Sequence, residues 1–280
     1  MQTDRIYRAP AVMFAAVVAC TAVSASQWLI GGLVAWWAVC CLGWGAVNGQ
    51  VASWLIVLNR SGVITVLTLG FSVLLLRLWK TRRFLSGLTS ASTIDTAPRL
   101  ARLAAKLGVT DPIVVLAADA PLAFCFGLLT PRICISAGLV DALTDKELKA
   151  VLLHEDHHCR RCDPLRSLVA DVIATTLFFL PIAKELRDLF LTLAELEADR
   201  YAVQHVGRPP LAGALHKILT HPLAMRLPQT AGVAGLSATD ARIAELLGDG
   251  KTPLRVSTRS LTVSSILIMA GCMLVQGPLF

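Results

Sequence analysis

The sequence predicts an α-helical membrane protein in which three apolar spans precede a compact α+β domain and a fourth span follows it. Three observations lead there. Hydrophobic residues make up 55% of the 280 and charged residues only 16%, against about 25% charged in ordinary soluble domains. Between Arg8 and Arg60 lie 51 residues without a single Asp, Glu, Lys or Arg. The middle of the chain, by contrast, carries charges and a His-Glu-x-x-His motif at 154–158. This composition excludes a disordered chain, a collagen, a coiled coil and a disulfide scaffold.

The spans come first. A helix needs about 20 apolar residues to cross roughly 30 Å of hydrocarbon, so the uncharged stretch holds two, at 9–25 and 28–47, parted by Ser24-Ala25-Ser26-Gln27. A third runs over 61–79 and a fourth over 260–280. Through residue 84 there are seven basic residues and one acidic residue, which is +6 of the total +7. The basic balance is therefore a topology signal. No basic–aromatic interleaving accompanies it, so no direct nucleic-acid partner is expected. Arg77, Lys80, Arg82 and Arg83 close the third span and face the cytoplasm by the positive-inside rule. Both termini then lie outside the cell membrane. A cleaved signal peptide over 1–25 is the rival reading, but it would put the basic cluster outside.

Residues 1–84 thus form the N-terminal membrane region, 85–259 one cytoplasmic domain and 260–280 the last span. Within the domain, 86–96 is a Ser/Thr-rich linker and 98–107 a helix closed by Gly108. Val- and Ile-rich 112–117 and 132–136 read as strands, with Thr130-Pro131 turning into the second. Thr144 and Glu147 form a capping-box pattern. They start a helix that runs through His158.

That helix carries the chemistry. Residues i and i+4 share a helix face, so His154 and His158 can bind one tetrahedral zinc ion. Glu155, next to the first ligand, can activate water at the open coordination position. Six His and six Glu in 280 positions give about 0.003 chance matches per chain, so the motif is specific. His157 lies about 100° away around the helix and does not reach the same metal. A third ligand is needed. Arg161 and the lack of a further His rule out the metzincin continuation, which leaves Glu185, Glu195 and Glu197. The spacing of Glu195 and Asp199 puts a ligand and a carboxylate able to orient an imidazole on one face. Glu197 points elsewhere, to solvent.

The run from Pro121 to Ser136, with Gly127-Leu-Leu-Thr-Pro-Arg132 at its centre, continues through Leu143, Glu147-Leu148, His154-Glu155-x-x-His158 and Asp163-Pro164-Leu165. It resembles the BlaR/MecR-type membrane zinc metallopeptidases, and the likeness covers about 112–205. The resemblance implies a gluzincin-type catalytic domain with one zinc ion on His154, His158 and Glu195, with Asp199 as the companion aspartate. It also implies a place among signal transducers. Well-known members add a penicillin-binding sensor after the fourth span. The 280 residues hold none, so β-lactam sensing is not expected. The HtpX and CAAX-prenyl-protease family shares the zinc pattern.

The expected function is therefore a zinc-dependent integral-membrane endopeptidase, regulatory in role, that hydrolyses itself or a cytoplasmic protein such as a transcriptional repressor. Its partners are the peptide substrate and the lipid bilayer. Zinc would polarise the scissile carbonyl, and Glu155 would carry a proton from water to the leaving amine. The peptide would pair with an edge strand over 121–127, and His205 is a candidate transition-state donor. Alternatives are an HtpX- or CAAX-protease-like quality-control or processing peptidase, and a non-proteolytic signalling protein with a structural zinc site. Cys159-x-x-Cys162 offers a second metal site or redox pair, with plain core thiols as the simpler reading. Asp163-Pro164 reads as a helix N-cap with Pro at the first position. Residues 167–182 read as one buried or membrane-dipping helix.

Overall fold

The computed structural model describes residues 50–90, 93–94, 98–221, 237–248 and 256–276. The spans expected at 9–25 and 28–47 lie outside the described residues. What is described is mostly helical, with one small sheet. It divides into two units. The larger is drawn from Arg77–Asp171 and Leu186–Arg255, and the smaller from the described parts of Met1–Leu76, Val172–Glu185 and Val256–Phe280.

Four strands frame the larger unit: β1 (Thr93–Ile94), β2 (Ile113–Leu116), β3 (Ala123–Phe126) and β4 (Arg132–Ser136), in the order β1-β2-β4-β3. β2 and β4 pair in parallel, from Ile113 opposite Ile133 to Leu116 opposite Ser136. β1 and β3 add on antiparallel at the two edges. The β-branched residues of β4 are the deepest, with Ile133 and Ile135 fully buried. β3 returns into β4 through Gly127, whose φ is +95°. A Cβ there would stand 2.5 Å from the Thr130 carbonyl oxygen. Only glycine fits, which is the physical content of the Gly127–Arg132 run.

Helices cover the sheet. α1 (Gln50–Ser90) leads in, α2 (Pro98–Leu107) ends at Gly108 with φ +67°, and α3 (Ala137–Ala142) follows β4 directly. α4 (Asp145–Arg160) begins at Thr144, whose side chain accepts from the Glu147 N–H while the Glu147 carboxylate accepts from the Thr144 N–H. Leu148 and Leu152 of α4 join Leu100, Ile133, Ile135 and Leu139 in one core. Then come α5 (Asp163–Thr176), α6 (Pro181–Val206), α7 (Arg208–Thr220), α8 (Ser237–Leu247) and α9 (Thr258–Gln276).

Two expectations are corrected. The linker over 86–96 is partly structured, because α1 continues to Ser90 and Thr93–Ile94 pair with Val115 and Leu116. Residues 167–182 are two helices rather than one, since α5 stops at Thr176 and α6 starts at Pro181. Proline has no N–H to donate and bars Leu180 from helical backbone, so the break falls there.

The span expected at 61–79 falls within α1, which runs from the smaller unit into the larger. The segment Ile64–Arg83 is the one helical stretch among the described residues that is long and apolar enough to cross a membrane. α9 is apolar over a shorter described stretch, Thr258–Met269, and residues 277–280 of the expected fourth span lie outside the described residues.

Candidate metal centre

The centre is assembled from the last two turns of α4 and the middle of α6. His154 and His158 sit one helical turn apart, and their rings meet edge to face with centroids 4.7 Å apart. Their Nε2 atoms are 3.2 Å apart. Glu195 of α6 reaches both, with Oε2 3.5 Å from His154 Nε2 and Oε1 3.5 Å from His158 Nε2. One ligand atom from each residue lies within 4.8 Å of the others. All three side chains are buried, as is Glu155 beside them.

Each imidazole has a carboxylate behind it. Asp199 Oδ1 stands 2.9 Å from His154 Nδ1, and Asp163 Oδ2 stands 2.8 Å from His158 Nδ1. A carboxylate at Nδ1 favours a proton on that nitrogen, so a ring that gives up its second proton turns an Nε2 lone pair inward. Once His154 has released that proton, two such lone pairs and the Glu195 carboxylate converge without a proton donor among them. Such a donor set repels itself unless a cation lies at its centre, so these residues fit a metal ion.

Arg242 of α8 closes the charge balance. Its Nη1 is 3.0 Å from Glu195 Oε2, and its Nε and Nη2 donate to the two Asp199 oxygens at 2.7 and 2.8 Å. Burial alone would raise the Glu195 carboxyl, but Arg242 and the two imidazoles hold it far below the usual carboxylate range. Asp199 is lowered against its burial by the same guanidinium and by His154. Burial and Arg242 push His154 toward its neutral form, yet Asp199 and Glu195 outweigh them and take it up to about 10. Glu155 goes the other way. Burial and nearby Glu195 raise it more than the two imidazoles lower it, so its carboxylate is a stronger proton acceptor than one in water.

The family model for the BlaR1 peptidase M56 matches residues 47–209, more than half of the chain. The chain belongs to the M56 peptidase family. It is also 28% identical over 216 residues to the protease HtpX homolog of Methanothermobacter thermautotrophicus, a match that covers 64% of this chain and 84% of that one.

In this M56 peptidase, the structure brings His154, Glu155, His158, Glu195 and Asp199 into one buried cluster. It does not bring His205 there. That residue is exposed, with Nδ1 2.7 Å from the Tyr201 carbonyl oxygen one turn back in α6. His157 also stands apart, its ring 5.1 Å from that of Tyr201. Glu197 lies at the surface, paired with Arg161 at 2.8 Å. Glu185 accepts from the Ser257 N–H at the start of α9.

Two residues were not recognised from spacing. Asp163 does not cap α5. The Cys162 carbonyl accepts from Leu165 and Arg166 at that end, and the Asp163 carboxylate is drawn instead to His158 and Arg166. Arg242 carried no signal at all, being 47 residues from Glu195. The Cys-x-x-Cys pair is divided. Cys159 is buried with Sγ 2.7 Å from Cys125 Sγ of β3, whereas Cys162 occupies the turn before α5 at φ +53°.

Proposed function

We propose that this M56 peptidase is an integral-membrane zinc endopeptidase of regulatory role, cleaving itself or a cytoplasmic protein such as a repressor. The observation that carries the reading is the convergence of His154, His158 and Glu195 beside a buried Glu155. Two imidazoles and one carboxylate form the donor set of catalytic zinc sites that keep one position open. Bound there, the ion supplies Lewis acidity to the scissile carbonyl and lowers the pKa of water.

The remaining work belongs to the chain. Glu155, its affinity for protons raised by burial, takes the proton that the attacking water gives up and delivers it to the departing amine nitrogen. Asp199 and Asp163 hold the two imidazoles in one tautomer. β3 presents an edge with no strand neighbour among the described residues, and an extended peptide adds there by backbone hydrogen bonds. A closed structural site would have no use for Glu155, which weighs against a non-proteolytic signalling role. The likeness to the protease HtpX homolog favours one alternative, a processing or quality-control peptidase.

The apolar stretch Ile64–Arg83 supports a membrane setting, and the multi-pass arrangement rests on the uncharged stretches and basic residues of the sequence. Three spans precede the catalytic domain of 85–259 and one follows, with that domain in the cytoplasm and both termini outside.

Glu155→Gln tests the mechanism. In the full-length protein it keeps metal content, read by elemental analysis, and loses at least about 100-fold in single-turnover cleavage. A variant that stays fully active overturns the mechanism. A variant whose parent shows metal but no cleavage of itself or of co-expressed candidates favours the structural-site reading.

A further inference from the structure

Residues 172–183, between Asp171 and Lys184, carry no charge, yet three of their large side chains are exposed although Leu180 is buried. Ile173 is 49% exposed, Phe178 73% and Phe179 45%. In an aqueous domain, a pair of adjacent exposed phenylalanines at a helix–helix turn is an uncompensated apolar patch.

Among the described residues of the smaller unit, this turn meets the apolar helices α1 and α9. The Thr176 side chain lies where a Cβ on Gly70 would come within 3.0 Å, so it packs on the bare backbone of α1. The Ile182 N–H donates to Ser264 Oγ of α9 at 3.2 Å. At the foot of the turn, Glu185 takes the Ser257 N–H and the Ser260 hydroxyl, closing the first turn of α9. α1 and α9 show the same outward apolar character: Leu67 is 66% exposed, Phe71 59%, Ile266 65% and Met269 60%.

Three amides of the turn have partners supplied from within, as lipid requires of irregular backbone. Leu177 N–H bonds the Ile173 carbonyl, Leu180 that of Leu177 and Ala183 that of Leu180, all at 2.8–3.0 Å. Pro181 has no N–H to satisfy. Charges resume immediately outside it. Within the larger unit, Asp171 pairs with Arg77 at 3.4 Å and with Arg187 at 2.6 Å.

We propose that residues 172–183 form a re-entrant hairpin that inserts into the lipid bilayer from the side of the basic cluster and turns back at Phe178-Phe179. Seven residues of α1 separate Gly70 from Arg77, or about 10 Å of helix, which sets the depth at about a third of the hydrocarbon. The inference rests on the reading of α1 as a membrane span. Its descending arm is the end of α5 and its returning arm is the start of α6, the helix that carries Glu195 and Asp199.

The test uses the full chain reconstituted in vesicles of phosphatidylethanolamine and phosphatidylglycerol, with photoreactive p-benzoylphenylalanine placed singly at position 67, 129 or 178. Leu129, 84% exposed in the β3–β4 turn, is the aqueous control. Irradiation followed by mass spectrometry should give lipid adducts at 178 in a yield like that at 67 and at least tenfold above that at 129. A yield at 178 no higher than at 129, or a protein–protein crosslink there in place of lipid, overturns the hairpin. If 67 yields lipid adducts and 178 does not, the hairpin alone falls. If neither does, the spanning reading of α1 falls and takes the hairpin with it.

Discussion

Arg242 touches two carboxylates at once, Glu195 through Nη1 and Asp199 through Nε and Nη2. It thereby fixes the rotamer of one candidate ligand and of the residue that orients another. Arg242→Ala should weaken metal binding about 10–100-fold, the range typical for groups that orient metal ligands. Competition against a chelator of known affinity would measure it. Lysine offers a point charge in place of a planar fork, so Arg242→Lys should fall between the two. An alanine variant that binds metal as tightly as the parent would show that the guanidinium only neutralises charge. These contacts also show what spacing conveys. The juxtapositions of His154 with His158 and of Glu195 with Asp199 were legible because one helical turn separates each pair. Arg242 was not, because a contact across 43 residues leaves no periodic trace. Asp163 was misread because a short carboxylate at that position suits a helix cap and an imidazole equally well.

At the level of elements, the start of α4 is held by three groups around one carboxylate. Glu147 accepts from the Thr144 N–H and from its hydroxyl, and from Lys217 Nζ of α7 at 2.7 Å. Thr144→Ala should cost about 1 kcal/mol in chemical denaturation. Burial would raise the Glu147 carboxyl, but Lys217 and Thr144 bring it below its usual value. A carboxyl lowered in the folded state stabilises above its unfolded pKa, and that stability is lost as pH falls through the folded value. The stability gap between the parent and Glu147→Gln should therefore be constant from pH 7 to about 5 and close below about pH 4. α2, β4 and this capping box were readable almost residue for residue, because apolar periodicity and a cap agree there. The break at 177–180 was not, although Pro181 was visible. A continuous apolar run masked the one residue that cannot continue a helix. β1 escaped notice for a different reason, since two residues are too few to show a period.

For the molecule as a whole, a ligand set drawn from α4 and α6 makes metal binding part of the stability of the larger unit. An ion that binds only the folded state adds about 2.7 kcal/mol at a hundred times its Kd. For a unit of this size that is about 5–10 °C in Tm. Removing metal with a chelator should lower the melting temperature by that amount, and Glu195→Ala should abolish the dependence on added metal. Differential scanning fluorimetry in detergent would measure both. An unchanged Tm on chelation would mean that no bound ion contributes to the stability of this unit. The composition that suggests a membrane protein has a physical counterpart at this scale in the outward apolar side chains of α1 and α9.

The clasp between α7 and the start of α4 has one more consequence. Lys217 holds the Ala142 carbonyl as well as Glu147, and Gly213 lies so close that a Cβ would be 2.7 Å from the Glu147 carboxylate. A helix end tied in this way has no frayed state of its own. The Glu147 and Leu148 amides, bonded to the Thr144 hydroxyl and carbonyl, should exchange with solvent mainly when α7 lifts off, and an opening that spreads along α4 would reach the imidazoles two and three turns further along. Slow hydrogen exchange at the first turn of α4 would then track the lifetime of the bound ion.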